Sequence, residues 1–222
     1  MTKIRLCFSK TGPLRFIGHL DLLKVFQQTI RRAGLPMAYS QGFNPHMMLS
    51  FALPLPLGMS SCSDYADISL EREMPIAELM SQFNANAPNG LCLKSAWEIE
   101  GPGAAALVSA ADYLLELPSG IIKEDICKTV QTLLNRESIV IPKKTKSGVK
   151  DTDIRPDIFC ISSDEAGIKL RLAAGSGRFL NPLIVAKLIL EHEVATSSII
   201  RQELFRQENP KGLIPLHEAS LL

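Results

Sequence analysis

The stretch Lys10–Gly58, KTGPLRFIGHLDLLKVFQQTIRRAGLPMAYSQGFNPHMMLSFALPLPLG, organises the chain. Its periodicity predicts one amphipathic helix over 16–33. Phe16, Leu20, Leu22, Leu23, Phe26, Ile30 and Ala33 share a face, with Asp21, Lys24, Gln28 and Arg31 opposite. Gly12-Pro13 separates this helix from what precedes it. Gly34 and Pro36 stop it, because glycine tolerates the left-handed backbone of a helix end and proline cannot continue the helix. Gly42-Phe43-Asn44-Pro45 then reads as a turn, Met47–Ala52 as a strand, and Pro54 and Pro56 as an extended exit.

Working outward, Lys3–Ser9 alternates, with Ile4, Leu6 and Phe8 inward and Arg5 and Cys7 on the other face. Beyond the central stretch, Tyr65–Glu71 alternates again, Pro75 opens a helix over Ile76–Asn84, and Leu91, Leu93 and Trp97 mark a strand. Strand, helix, strand, strand, helix, strand is the order of a split βαβ, or ferredoxin-like, unit. Residues 101–110 read as a loose linker. The order then recurs: a strand over 112–117, a helix over 123–135, a strand over 138–141 and a basic loop over 143–150. A hairpin over 157–173, a helix opened by Asn181-Pro182 and a strand over 198–205 follow, ahead of a polar tail. The expected fold is therefore α+β: two ferredoxin-like domains with antiparallel sheets, 1–101 and 111–222. The second rests on element order alone.

With 46% hydrophobic and 21% charged residues in 222, the chain has material for a real core and is too apolar for disorder. A net charge of +1 excludes a global basic field, yet residues 1–50 hold seven Lys or Arg against Asp21 alone. Five scattered cysteines without a CxxC pair argue against a disulfide framework and against a metal site made by this chain. No apolar run reaches the ~20 residues of a membrane helix, so a soluble cytoplasmic protein is expected.

Two histidines are candidates for catalysis. His19 lies at the start of the first helix, where free backbone N–H groups favour an anion, although packing at the core edge is the simpler reading. His46 sits in the turn beside Tyr39, Phe43 and Asn44, types that stack on and hydrogen-bond to single-stranded nucleic acid; Tyr39 with Phe43 is also readable as a loop anchor. Lys10 and Arg15 add charge to this site. Lys143, Lys144, Lys146 and Arg155 form a second basic edge, readable as phosphate contacts or as a solvated loop. The outward side of the 65–71 strand (Tyr65, Asp67, Ser69, Glu71) does not suit stacked RNA, which leaves the loops and the interdomain groove.

The Lys10–Gly58 stretch and the later KKTKSGVKDTDIRPDI (143–158) together resemble a bacterial family of unknown function, the radical-SAM-associated proteins, over nearly the whole chain. Members occur alone or fused behind a cobalamin-binding radical SAM module. The resemblance implies a radical SAM enzyme as partner. This chain has no CxxxCxxC for the iron–sulfur cluster, so no cofactor is expected in it. More distantly, two ferredoxin-like halves with an early histidine and a late glycine turn are similar to RAMP-type CRISPR RNA-processing endoribonucleases. The expectation is an accessory RNA-binding or substrate-presenting protein in RNA or ribosome-related modification, without catalysis of its own. A metal-independent endoribonuclease using His19 or His46, and a protein-only scaffold, remain the alternatives.

Overall fold

The computed structural model describes residues 1–117, 123–145, 148–208 and 212–220. The fold is mixed α+β. In the first half, β1 (Thr2–Lys10), α1 (His19–Arg32), β2 (Leu49–Phe51), β3 (Ser60–Leu70), α2 (Ile76–Asn86) and β4 (Leu91–Glu98) follow one another. A short α3 (Ala104–Leu107) leads into β5 (Val108–Leu115), α4 (Lys123–Leu134), β6 (Val140–Thr145) and β7 (Gly148–Asp153). Then come β8 (Ile158–Asp164), β9 (Gly167–Ala173), α5 (Pro182–Leu190), β10 (Ile199–Glu208) and β11 (Gly212–Pro215). Among the described residues no helix is long and apolar enough to cross a membrane.

One nine-stranded sheet runs through both halves in the order β4-β1-β3-β10-β5-β9-β8, with β2 on β3 and β11 on β10. Each half thus has its fourth, first, third and second strands side by side. All pairings are antiparallel except the seam, where β10 meets β3 in parallel through Ile200↔Ser60 and Arg201↔Ser61. The ribbon β6–β7 stands apart as its own two-stranded sheet, inserted between α4 and β8.

Two apolar cores lie against this sheet. In the first, Ile4, Leu6 and Phe8 of β1 meet Phe26 and Ile30 of α1 and Leu79 and Phe83 of α2. Phe26 is its hub, with the rings of Phe8, Phe51 and Phe83 at 4.8, 5.0 and 5.3 Å. In the second, Ile126, Val130 and Leu133 of α4 and Val185 and Ile189 of α5 join the inward residues of β5, β8 and β9.

The other face of the first half's sheet is covered too. Arg5, Cys7, Tyr65 and Ser69, read from alternation as facing outward, are all buried. Arg5 grips its cross-strand partner Asp67 with two hydrogen bonds, Nε–Oδ1 at 2.7 Å and Nη2–Oδ2 at 3.1 Å, and also donates to the Pro102 carbonyl. Asp67 Oδ2 accepts from the Ala104 N–H at 2.6 Å. Residues 102–104 are thereby fastened to the sheet, which corrects the reading of a loose linker. The second half repeats the device with its ends exchanged: Asp112 of β5 takes two hydrogen bonds from its cross-strand partner Arg171 of β9.

The first helix starts later than its periodicity predicts. Residues 12–16 form a 3-10 turn, Gly18 is extended, and α1 begins at His19 with Asp21 in its first turn. Phe16 lies in the tighter turn ahead of Gly18, out of phase with α1, and Leu20 sits about 120° around α1 from Phe26, so the two come out 61% and 70% exposed instead of joining Phe26. Of the basic loop expected over 143–150, residues 143–145 and 148–150 belong to the strands of the β6–β7 ribbon, and 146–147 lie outside the described residues.

Candidate binding surface

The 38–48 segment is an ordered arm with a bare tip. Its base is tied to β3: Ala38 N–H donates to the Ser69 carbonyl and Ser69 N–H to the Met48 carbonyl. Across its neck, Tyr39 pairs with Met47, and Ser40 Oγ lies 2.8 Å from His46 Nδ1 and accepts the His46 N–H at 3.1 Å. Met37 and Met47 pack into the first core, which fixes the arm while Gln41 to Pro45 turn outside it. Gly42 has φ +124°, a backbone that side-chain-bearing residues rarely adopt, and this turn presents Phe43 fully to solvent. Tyr39, Asn44 and His46 are exposed beside it. Below the neck a cavity of about 330 Å³ opens between Ser40, His46 and Met48 on one side and Gly101 and Gly103 on the other.

A second apolar surface surrounds the start of α1. Arg15 lies 4.8 Å over the ring of Phe16, and its carbonyl accepts the Gly58 N–H at 2.7 Å, which brings exposed Leu57 into the same neighbourhood. His19 is half-buried, its ring edge-on to Phe51 at 5.4 Å. Among the described residues, neither His19 nor His46 is paired with a carboxylate or a cation.

The other expected site residues are placed differently. Lys10 is buried at the seam between the halves, its ammonium bonded to the Ile17 carbonyl at 3.0 Å; burial pushes its pKa below the ordinary lysine value. Arg155 donates to the carbonyls of Leu134, Arg136 and Ile158, closing the end of α4. Lys143 is exposed on β6 directly opposite Lys150, and Lys144 is opposite Val149. Lys146 lies outside the described residues. The structure therefore brings Tyr39, Phe43, Asn44 and His46 together, sets Arg15 beside Phe16, and leaves Lys143 and Lys144 on the ribbon. Lys10 belongs to the interior.

Sequence reading did not find that interior network. Arg201 is fully buried and donates to Asp64 Oδ1 at 2.5 Å and to the carbonyls of Leu53 and Pro54. Burial pushes the Asp64 carboxyl above its usual range, while Arg201 and Lys10 draw it back. Nearby, Tyr65 donates to Glu203 at 2.5 Å, and His217 Nδ1 lies 3.2 Å from the Tyr65 hydroxyl. Burial raises the pKa of Glu203 and of Tyr65, the latter also through the Glu203 charge. Each of these contacts crosses more than a hundred residues of chain, so no local motif marks them. The only signal available was an arginine at an inward position of an alternating strand.

The ribbon is held at its root by Asp153, whose Oδ1 accepts from the N–H groups of Ile139 (2.8 Å) and Arg155 (3.0 Å). These bonds lower the Asp153 pKa from its ordinary 3.8. A depressed carboxylate stabilises the fold fully above the unfolded value and loses that contribution as pH falls through the folded one. Protection of the Ile139 and Arg155 amides relative to their intrinsic exchange rates is therefore expected to fall in that acid window. Asp153→Ala should show the reduced protection already at neutral pH. Equal protection in the variant and the parent would rule out this root contact.

Residues 3–182 match the model of a family described as uncharacterised proteins conserved in bacteria, DUF2344, and the chain belongs to that family. The matched span holds the arm, the start of α1 and the ribbon, and ends at the first residue of α5. No curated protein sequence matches the chain.

Proposed function

We propose that this protein is a cytoplasmic accessory module that binds RNA and presents it to a radical SAM enzyme, built from two ferredoxin-like units. The observation that carries the reading is Phe43: a large aromatic ring held fully in solvent at the tip of an arm whose base and neck are hydrogen-bonded in place. Folding gains nothing from that ring, whereas an unstacked base gains a platform. Tyr39, Asn44 and His46 supply a second ring and the polar edges that single-stranded RNA uses. The paired lysines of the ribbon support phosphate binding, since like charges directly opposite on two strands repel until an anion lies between them. Among the described residues neither candidate histidine has the charged orienting partner that general acid–base work on RNA generally employs, which favours binding over cleavage. All five cysteines are free thiols, which suits a reducing compartment.

The test is retention of total cellular RNA on the purified protein across a salt series with chelator present, followed by sequencing of the retained RNA. Salt-sensitive retention of a defined RNA class with intact ends is expected. Trimmed ends would assign a metal-independent nuclease instead, and absence of retention would leave a protein-only role. Turnover of the radical SAM enzyme that is indifferent to this protein would remove the partnership.

A further inference from the structure

The second half carries a feature that the RNA reading does not use. Helix α5, PLIVAKLIL, has Lys187 as its only charged residue. A helix that is apolar all round belongs in an interior, yet α5 lies in the outer layer. Val185, Ala186 and Ile189 face the sheet and are buried, which satisfies one side; Ile184 and Leu188, one turn apart on another side, remain half-buried. Between this second side and α4 runs a groove of about 800 Å³, with Leu133 and Ile141 completing its apolar floor.

The rim of the groove is cationic. Lys128 and Arg136 stand on the α4 side and Lys187 on the α5 side, against Glu191 as the one acid among the described lining residues. Lys187 also pairs with Glu193, outside the groove lining. Among the lining residues there is no aromatic ring, so the groove offers nothing for a nucleobase to stack on. A second copy of this chain laid face to face would set these cations against the same cations.

We propose that the α4–α5 groove is the docking site for an acidic amphipathic helix of a partner protein. An apolar stripe at i, i+3, i+4 and i+7 would cover Ile184, Leu188, Leu133 and Ile141, as in other helix-in-groove complexes. Carboxylates flanking the stripe would meet Arg136, Lys128 and Lys187. The inference is independent of the RNA reading, because its residues lie in the second half's helical layer and its occupant is a protein. The protein would thus have two faces: the arm of the first half for substrate, and this groove for a partner.

The experiment uses the full chain and a fluorescein-labelled synthetic peptide of about 14 residues, long enough for several helical turns, with leucines at the stripe positions and glutamates elsewhere. Anisotropy titration is expected to show saturable binding that weakens as salt rises. A peptide with lysines replacing the glutamates should bind at least about tenfold more weakly. Leu188→Glu, at a half-buried position beside the second core, should abolish binding, and exposed Arg136→Glu should reduce it with a melting curve matching the parent. Equal binding of the acidic and basic peptides, or unchanged binding by Leu188→Glu, would overturn the proposal, as would no binding at all. Sedimentation with anionic phospholipid vesicles that also displaces the acidic peptide would reassign the groove to a lipid surface. RNA retention measured in parallel on Leu188→Glu should be unaffected, so failure of either reading is seen separately.

Discussion

Arg201→Leu is expected to cost about 3–5 kcal/mol of folding stability, because it strands the buried Asp64 carboxylate without its partner. Against a total of about 5–15 kcal/mol for a typical domain, this is a large fraction of the stability. The effect should be read by urea denaturation of the variant beside the parent. Two carbonyls, those of Leu53 and Pro54, also lose their donor, so the damage is not confined to one ion pair. Lys10 stays near Asp64 and offsets part of the loss, its ammonium already disfavoured by burial. Adding Asp64→Leu to Arg201→Leu should recover a substantial part of the stability, since an apolar pair leaves no unpaired charge. Equal destabilisation in the single and double variants would mean that shape, not charge, holds the seam.

Phe43→Ser is the converse case, a large functional effect with almost no effect on the fold. The ring touches no core, so stability should stay within about 0.5 kcal/mol of the parent. If a base stacks on it, loss of the ring removes about 1–3 kcal/mol of binding, a fall of roughly fivefold to 150-fold in affinity for retained RNA. Phe43→Tyr should keep most of the affinity, because tyrosine offers the same face. Lys143→Ala should instead flatten the salt dependence while losing less affinity. RNA retention by Phe43→Ser equal to that of the parent would take the arm out of the binding surface.

Much of the architecture is legible in the sequence because the relevant signals are local. Ile4, Leu6 and Phe8 announce β1 by alternation, Asn181 and Pro182 announce the start of α5, and the Asn181 side chain indeed accepts the Leu183 N–H. The Asp164–Gly167 turn likewise marks the β8–β9 hairpin. What was misread depends on distant chain. Arg5 and Cys7 look solvent-facing in isolation, and only the 102–104 segment and the chain's last elements, arriving from far away, bury them. Lys10 looks like a surface cation for the same reason. Phe16 is set apart by a local cue: Gly18 interrupts the helical phase, and Asp21 three residues later marks the true first turn. The arm's residues were identifiable by type, but only its hydrogen-bonded neck distinguishes a presented ring from one tucked inward.

The parallel meeting of β3 and β10 also governs the order in which this molecule can be completed. During synthesis the outer edge of β3 emerges early, and β2 covers only its Ala66–Ile68 stretch. The base of the arm covers Ser69 and Leu70, but the Ser60–Ser61 start of the edge waits for β10, and the Arg201–Asp64 contact closes a separation of 137 residues. Until then the nascent first half carries an open strand edge beside an Asp64 that lacks its arginine, the kind of edge on which strands from other chains add. Slow closure of so long a loop makes this interval the vulnerable one in the life of the chain. A fragment ending near residue 101 should accordingly recruit foreign strands or precipitate, whereas the full-length chain buries its own edge.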